Sequence, residues 1–260
     1  MTMEREQLVT MFSVEKSFHV INKSIKSHSK RRLIANGLNK LSDDEKMSDD
    51  IFALTMNIFD RFILKYSQLI NDHHCQLIAL SCYSLAKKLR TNVLINNENE
   101  QTSWIFLNEN YSDEEIFDTE QLIAETLDWD LSTVVPHDYI QLIFQAVLPN
   151  EVDQAKIRLH VHILLSLGIC ELNTLTILPS VLCCACIKAA LKGLSIVSIH
   201  QIDELLLKLI HCKKSELIQT QHMIEKLFQS CLQEIVPSPT RRCLAPIDTS
   251  NKTNTSPRVK

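Results

Sequence analysis

The sequence predicts an all-α chain of two tandem helical lobes, each a ring of helices around a buried central one. Three observations point to it. Helix breakers are nearly absent before residue 237: the 260-residue chain has only three glycines (Gly37, Gly168 and Gly193), and four of its seven prolines, Pro237, Pro239, Pro246 and Pro257, fall in the last stretch. Apolar residues recur at helical spacing in segment after segment. Two segments, about 74–89 and 181–191, are apolar nearly all round, which suits a helix at the centre of its lobe. With 45% hydrophobic residues the chain can fill such cores.

The elements follow in order. The first helix is predicted at about Arg5–Lys16, with Leu8, Met11 and Phe12 on one side, and the second at about Lys30–Leu41. Ser48, Asp49 and Asp50 can cap the third and put acids at its positive end; it runs to about Tyr66 on a stripe of Phe52, Met56, Phe59 and Ile63. The fourth, about His74–Leu89, is the first central helix. Thr91–Asn110 is polar and asparagine-rich and reads as a long loop with one short turn near Ser103–Leu107. A helix over about Asp113–Leu127 carries Ile116, Leu122, Ile123 and Leu127. Pro136 drives its predecessor out of the helical region, and a helix from His137 to Val147 follows. The second half repeats the scheme at about Glu151–Gly168, Pro179–Lys192, Ile199–His211 and Ser215–Glu234. Pro179 sits at a helix start, where its missing N–H costs nothing. From Pro237 on, the chain turns to Pro, Ser, Thr, Asn and basic residues and reads as a disordered tail.

Composition narrows the function. A net charge of −4 gives no reason to expect nucleic acid or a membrane surface as the main partner. No segment stays apolar for ~18 residues, so no membrane span is expected. The opening residues lack a signal-peptide layout, so the chain is expected inside the cell, with its nine cysteines as reduced thiols. Cys183 and Cys186 form a CxxC, but no second ligand pair accompanies it, and packing residues are the better account. His73, His74, His160 and His162 have no ligand partners at metal spacing. Neither a glycine-rich phosphate loop nor a Ser/His/Asp arrangement occurs. No metal, no cofactor and no catalytic residue are expected, and an enzyme is the weakest reading.

Four motifs in order carry a resemblance. Met56-Asn57-Ile58-Phe59-Asp60-Arg61-Phe62 resembles the cyclin-box motif. Gln76–Lys88 resembles the family's central helix, which ends in Ala-x-Lys. Glu120 and Leu127-Asp128-Trp129-Asp130-Leu131 come next, and Val135-Pro136-His137-Asp138-Tyr139-Ile140 closes the box. The last two segments resemble D-type cyclins in particular. The resemblance covers about residues 5–235; it is strong in the first half and lies in the pattern alone in the second.

The resemblance implies an all-α fold of two tandem five-helix cyclin-box lobes, with a short N-terminal helix and a disordered C-terminal tail. The expected boundaries are 1–28 for the N-terminal helix and linker, 29–141 and 142–236 for the lobes, and 237–260 for the tail. It implies a regulatory subunit that binds and activates a cyclin-dependent kinase, of the 4/6 class by the D-type likeness, to promote G1/S progression. Such a protein would work in nucleus and cytoplasm, with retinoblastoma-family substrates and kinase inhibitors as further partners. A cyclin-fold adaptor, a non-activating kinase binder and a transcription-type cyclin-box protein remain alternatives.

Residue by residue, Arg31 and Asp60 match a structural pair inside the box. Lys88 and Glu120 match the residues with which cyclins grip the kinase. The family's substrate-docking patch is degenerate here. Lys30 stands where the family has methionine, Gly37 where it has tryptophan, Lys40 for a glutamate and Cys75 for a leucine, while Leu33, Ile34 and Gln76 keep the patch's character. Losing the tryptophan and reversing the charge each cost ~2 kcal/mol or more at a small hot spot, so the usual Arg-x-Leu peptides are not expected to bind. The stretch after Lys88 lacks the acids many cyclins place there, and residues 1–20 hold no Leu-x-Cys-x-Glu motif for retinoblastoma-family proteins. In the tail, Ser238-Pro239 and Ser256-Pro257 fit proline-directed phosphorylation, and Arg241-Arg242-Cys243-Leu244 resembles a cyclin-docking or degradation signal.

Overall fold

The computed structural model describes residues 2–17, 30–66, 72–91, 104–107, 109–149, 153–196, 199–210 and 212–235. Ten helices stand at the ten predicted places: α1 (Thr2–Ser17), α2 (Arg31–Asp44), α3 (Asp49–Lys65), α4 (Asp72–Arg90), α5 (Asp113–Thr126), α6 (Pro136–Val147), α7 (Gln154–Cys170), α8 (Pro179–Gly193), α9 (Ile199–Ile210) and α10 (Lys214–Ile235). The expected tail, with Ser238, Ser256 and the Arg241–Leu244 string, lies outside the described residues.

Short-range chemistry sets the helix ends. Before α5, the Ser112 hydroxyl accepts from the Glu115 N–H at 3.2 Å while Glu115 accepts from the Ser112 N–H at 2.8 Å, a reciprocal cap. Asp153 accepts from the Lys156 N–H at the start of α7. Ser48 holds the extended backbone of a cap residue before α3, but its hydroxyl makes no capping bond; Asp49 and Asp50 supply the favourable charge in the first turn.

Two apolar cores form. The first gathers Ile34 and Leu38 of α2, Phe52, Met56 and Phe59 of α3, and Ile116 and Ile123 of α5 around the buried face of α4. The second surrounds α8, whose residues Ser180–Leu191 are all buried. α6 belongs to this second core through Tyr139, Ile140, Ile143 and Phe144, and it runs unbroken past residue 141. α1 attaches there too, through Leu8 and Met11 and by Phe12 stacked on Tyr139 at 5.7 Å. No helix among the described residues is long and apolar enough to cross a membrane.

One local expectation is corrected. The segment read as a loop with a turn contains an antiparallel hairpin, β1 (Trp104–Phe106) paired with β2 (Glu109–Tyr111). Its asparagines hid a short β-prone run, Trp104-Ile105-Phe106, and Phe106 and Tyr111 are buried against the first core.

Candidate functional site

Arg31 opens α2 and Asp60 lies in the fourth turn of α3. Their contact is a two-pronged fork, Nε to Oδ1 at 2.7 Å and a terminal nitrogen to Oδ2 at 2.8 Å, with both side chains almost fully buried. The remaining donors reach the carbonyls of Cys170 at 3.0 Å and Ile169 at 3.1 Å. Those carbonyls end α7, where the helix has no partners of its own to offer. One guanidinium thus ties α2, α3 and the end of α7 together. Burial alone would depress its pKa, but the bond and charge of Asp60 more than offset this and raise it.

The neighbouring residues of the Asp60-Arg61-Phe62 run do different work. Arg61 donates to the Asp130 carbonyl at 2.6 Å, and Phe62 is buried. Lys65 pairs with Asp128. These bonds hold the turn after α5, where Asp128 and Trp129 both adopt positive φ, at 56° and 61°.

Lys88 and Glu120, which the resemblance implies as the kinase grip, bond to each other here. Lys88, in the last turn of α4, donates to Glu120 Oε2 on α5 at 2.5 Å. The two ends are unlike: the Lys88 side chain is 43% exposed and that of Glu120 only 7%. Glu120 Oε1 is buried with no hydrogen-bond partner among the described residues. Next to it, Lys87 turns the other way, to Glu45 at 2.6 Å, which also accepts from the Tyr83 hydroxyl at 3.1 Å.

Residues 2–132 match the family model Cyclin, N-terminal domain, and residues 134–240 match Cyclin, C-terminal domain. The chain belongs to the cyclin family. It is 24% identical over 212 residues to the G1/S-specific cyclin-D1 of Homo sapiens, covering 79% of this chain and 70% of that protein. To the G1/S-specific cyclin-D2 of Mus musculus it is 26% identical over 223 residues, covering 84% and 75%. A viral cyclin from herpesvirus saimiri superposes with a TM-score of 0.69 at 13% identity, over 90% of this chain and 99% of that one. A chain of the CAK complex of Chaetomium thermophilum, bound to ATP-γ-S, gives 0.50 at 15% identity, over 91% and 82%.

In this cyclin the hairpin packs on two of the positions that resemble a degenerate docking patch, Gly37 and Gln76. A Cβ on Gly37 would lie 3.1 Å from Leu107 Cδ2 and from two ring atoms of Phe106, so the hairpin packs directly on the bare backbone of α2. Tyr111 donates to Gln76 Oε1 at 3.3 Å. Ile34 and Cys75 are buried, Lys30 is half-buried, and Leu33 and Lys40 are exposed.

Two features of the cyclin escape the sequence. Arg90 ends α4 and forks onto Asp138 at 2.9 and 3.0 Å, reaches the Thr133 carbonyl at 3.1 Å and lies 3.7 Å from Asp50. Burial works against its charge, and Asp138 restores it above the ordinary value. The second corrects an expectation: His162 does have partners at metal spacing, Asp49 and His137, brought from two other helices by the fold. Burial, with His162 beside it, pushes His137 down to about 4. The CxxC cysteines lie inside the second core, where burial pushes the thiols of Cys183, Cys184 and Cys186 up, out of reach of thiolate chemistry at neutral pH.

Proposed function

We propose that this cyclin binds and activates a cyclin-dependent kinase of the 4/6 class, using Lys88 and Glu120 as the polar centre of the contact, and so promotes G1/S progression. One observation supports it above the others. The buried carboxylate of Glu120 spends one oxygen on Lys88, and the other has no partner among the described residues, an arrangement costly in the free chain that a turn of the side chain toward backbone N–H donors of a partner would relieve. Lys88, partly exposed, offers its remaining donors to backbone carbonyls beside them. Docked there, the kinase's mobile regulatory helix would carry its glutamate toward the ATP-site lysine and complete the phosphate clamp. The cyclin supplies no reacting group. Retinoblastoma-family proteins are the substrate class, recruited without the degenerate patch, and kinase inhibitors are further partners. Work in both nucleus and cytoplasm, and phosphorylation at Ser238, belong to the same proposal.

The test is reconstitution. The purified chain is mixed with a kinase of the 4/6 class and, separately, a mitotic-class kinase, and complex formation and phosphorylation of a retinoblastoma-protein fragment are measured beside the Lys88→Ala/Glu120→Ala double variant. Binding with activity, lost in the double variant, supports the proposal. Binding without activity makes the chain a non-activating binder, and no binding to either kinase sinks it.

A further inference from the structure

Asp49, His137 and His162 stand on α3, α6 and α7, and each offers a ligand atom within 4.8 Å of the other two. His162 Nδ1 meets a carboxylate oxygen of Asp49. The rings of His137 and His162 are 5.2 Å apart and tilted by 45°. Both ring nitrogens of His137 are shut off from solvent, and neither has a hydrogen-bond partner among the described residues. An imidazole buried in this way is costly, because a neutral ring has one N–H to give and one lone pair to share. Here the ring points at a second histidine and a carboxylate.

The surrounding charge favours a cation. Asp50 and Asp138 both face Arg90, at 3.7 Å and 2.9 Å, so that guanidinium answers two carboxylates and Asp49 adds a third. Counted without the rings, these three carboxylates and one guanidinium leave the cluster net negative.

We infer that Asp49, His137 and His162 bind a single divalent transition-metal ion of the zinc type, which clamps α3 of the first lobe to α6 and α7 of the second. Two imidazole nitrogens and one carboxylate oxygen suit zinc and its neighbours, whereas calcium and magnesium favour all-oxygen sets. Bonds of ~2.0–2.2 Å in a tetrahedron place ligand atoms about 3.4 Å apart, which side-chain rotation in this cluster can reach. The fourth position is left for water. The ion's role would be structural, since the three helices come from both lobes.

The full chain, stripped with a chelator, is titrated with cobalt(II) as a visible probe and then with zinc. The expected result is one equivalent of cobalt with nitrogen/oxygen-type visible bands, displaced by zinc, and a melting temperature raised by zinc. Asp49→Asn and His162→Gln each weaken cobalt binding by at least ~100-fold. Both side chains are partly exposed, at 36% and 27%, so the variants keep the packed cores, which circular dichroism checks. Cys212→Ser and Cys231→Ser leave binding unchanged. Absence of a stoichiometric complex overturns the inference, as does cobalt bound with thiolate charge-transfer bands or retained in both ligand variants. The outcome is independent of kinase binding.

Discussion

Arg31 donates to the carbonyl of Cys170 at 3.0 Å across the boundary between the lobes, while its other edge grips Asp60. Arg31→Ala would leave the Asp60 carboxylate buried without a counter-charge and two helix-end carbonyls without donors. Removing one partner of a buried pair costs ~3–5 kcal/mol. Urea denaturation should show a loss of that size, and Arg31→Lys should recover only part of it, because an ammonium cannot fork. Arg31→Leu/Asp60→Leu should cost less than the sum of its single variants. A cost below ~1 kcal/mol for Arg31→Ala would remove the tie from the architecture.

Glu120 separates function from stability. Its free oxygen is an expense in the isolated chain, so Glu120→Ala should shift unfolding free energy by less than ~1 kcal/mol, within the range of an ordinary neutral substitution. Lys88→Ala should cost more, ~1–3 kcal/mol, because it strands a buried carboxylate. Both should weaken kinase capture at least tenfold in a calorimetric titration. Unchanged capture in both variants would move the contact elsewhere on the surface.

The contrast between these pairs marks what the sequence could carry. The helices were legible because the apolar period and Pro136 and Pro179 near helix starts act over a few residues, whereas the Ser112–Glu115 cap was not read from the sequence. Lys88 and Glu120 were legible only through motifs in order. The Arg31 bond to Cys170 spans 139 positions and ends on a backbone carbonyl, for which no residue type is diagnostic. Asp49 and His162, 113 positions apart, meet through the packing of three helices that periodicity cannot orient. The β hairpin failed for a different reason: three-residue strands in asparagine-rich surroundings give too short an alternation to register.

Phe106 packs on Gly37, where the family's docking tryptophan would stand. Arg-x-Leu peptides should show no saturation up to about 1 mM in a fluorescence-anisotropy titration, that is, less than ~4 kcal/mol of binding. Phe106→Ala should destabilise by ~3–5 kcal/mol, since it removes a buried ring from the first core. Gly37→Trp should also destabilise, because its first side-chain atom already meets Phe106 at 3.1 Å. Micromolar peptide binding to the unmodified chain would refute the reading of this patch as degenerate.

Glu15 of α1 fills a gap that α8 cannot fill for itself. The residue before α8 is Leu178, which has no capping group, and Pro179 has no N–H. The first free donor, the Ser180 N–H, is met by Glu15 Oε2 at 2.9 Å, and the Ser180 hydroxyl by Oε1 at 2.7 Å. The carboxylate is nearly fully buried at the positive end of the helix that centres the second lobe. Glu15→Ala should therefore cost ~2 kcal/mol, the upper range for losing a cap. It should do so in a recognisable place: amide hydrogen exchange should rise in the first turn of α8, and α1 should become a protease target as Leu8 and Met11 lose their hold. Glu15→Gln keeps one acceptor and should lie between. Exchange in the first turn of α8 that stays at the unmodified level in Glu15→Ala would mean that α1 is held by its apolar face alone.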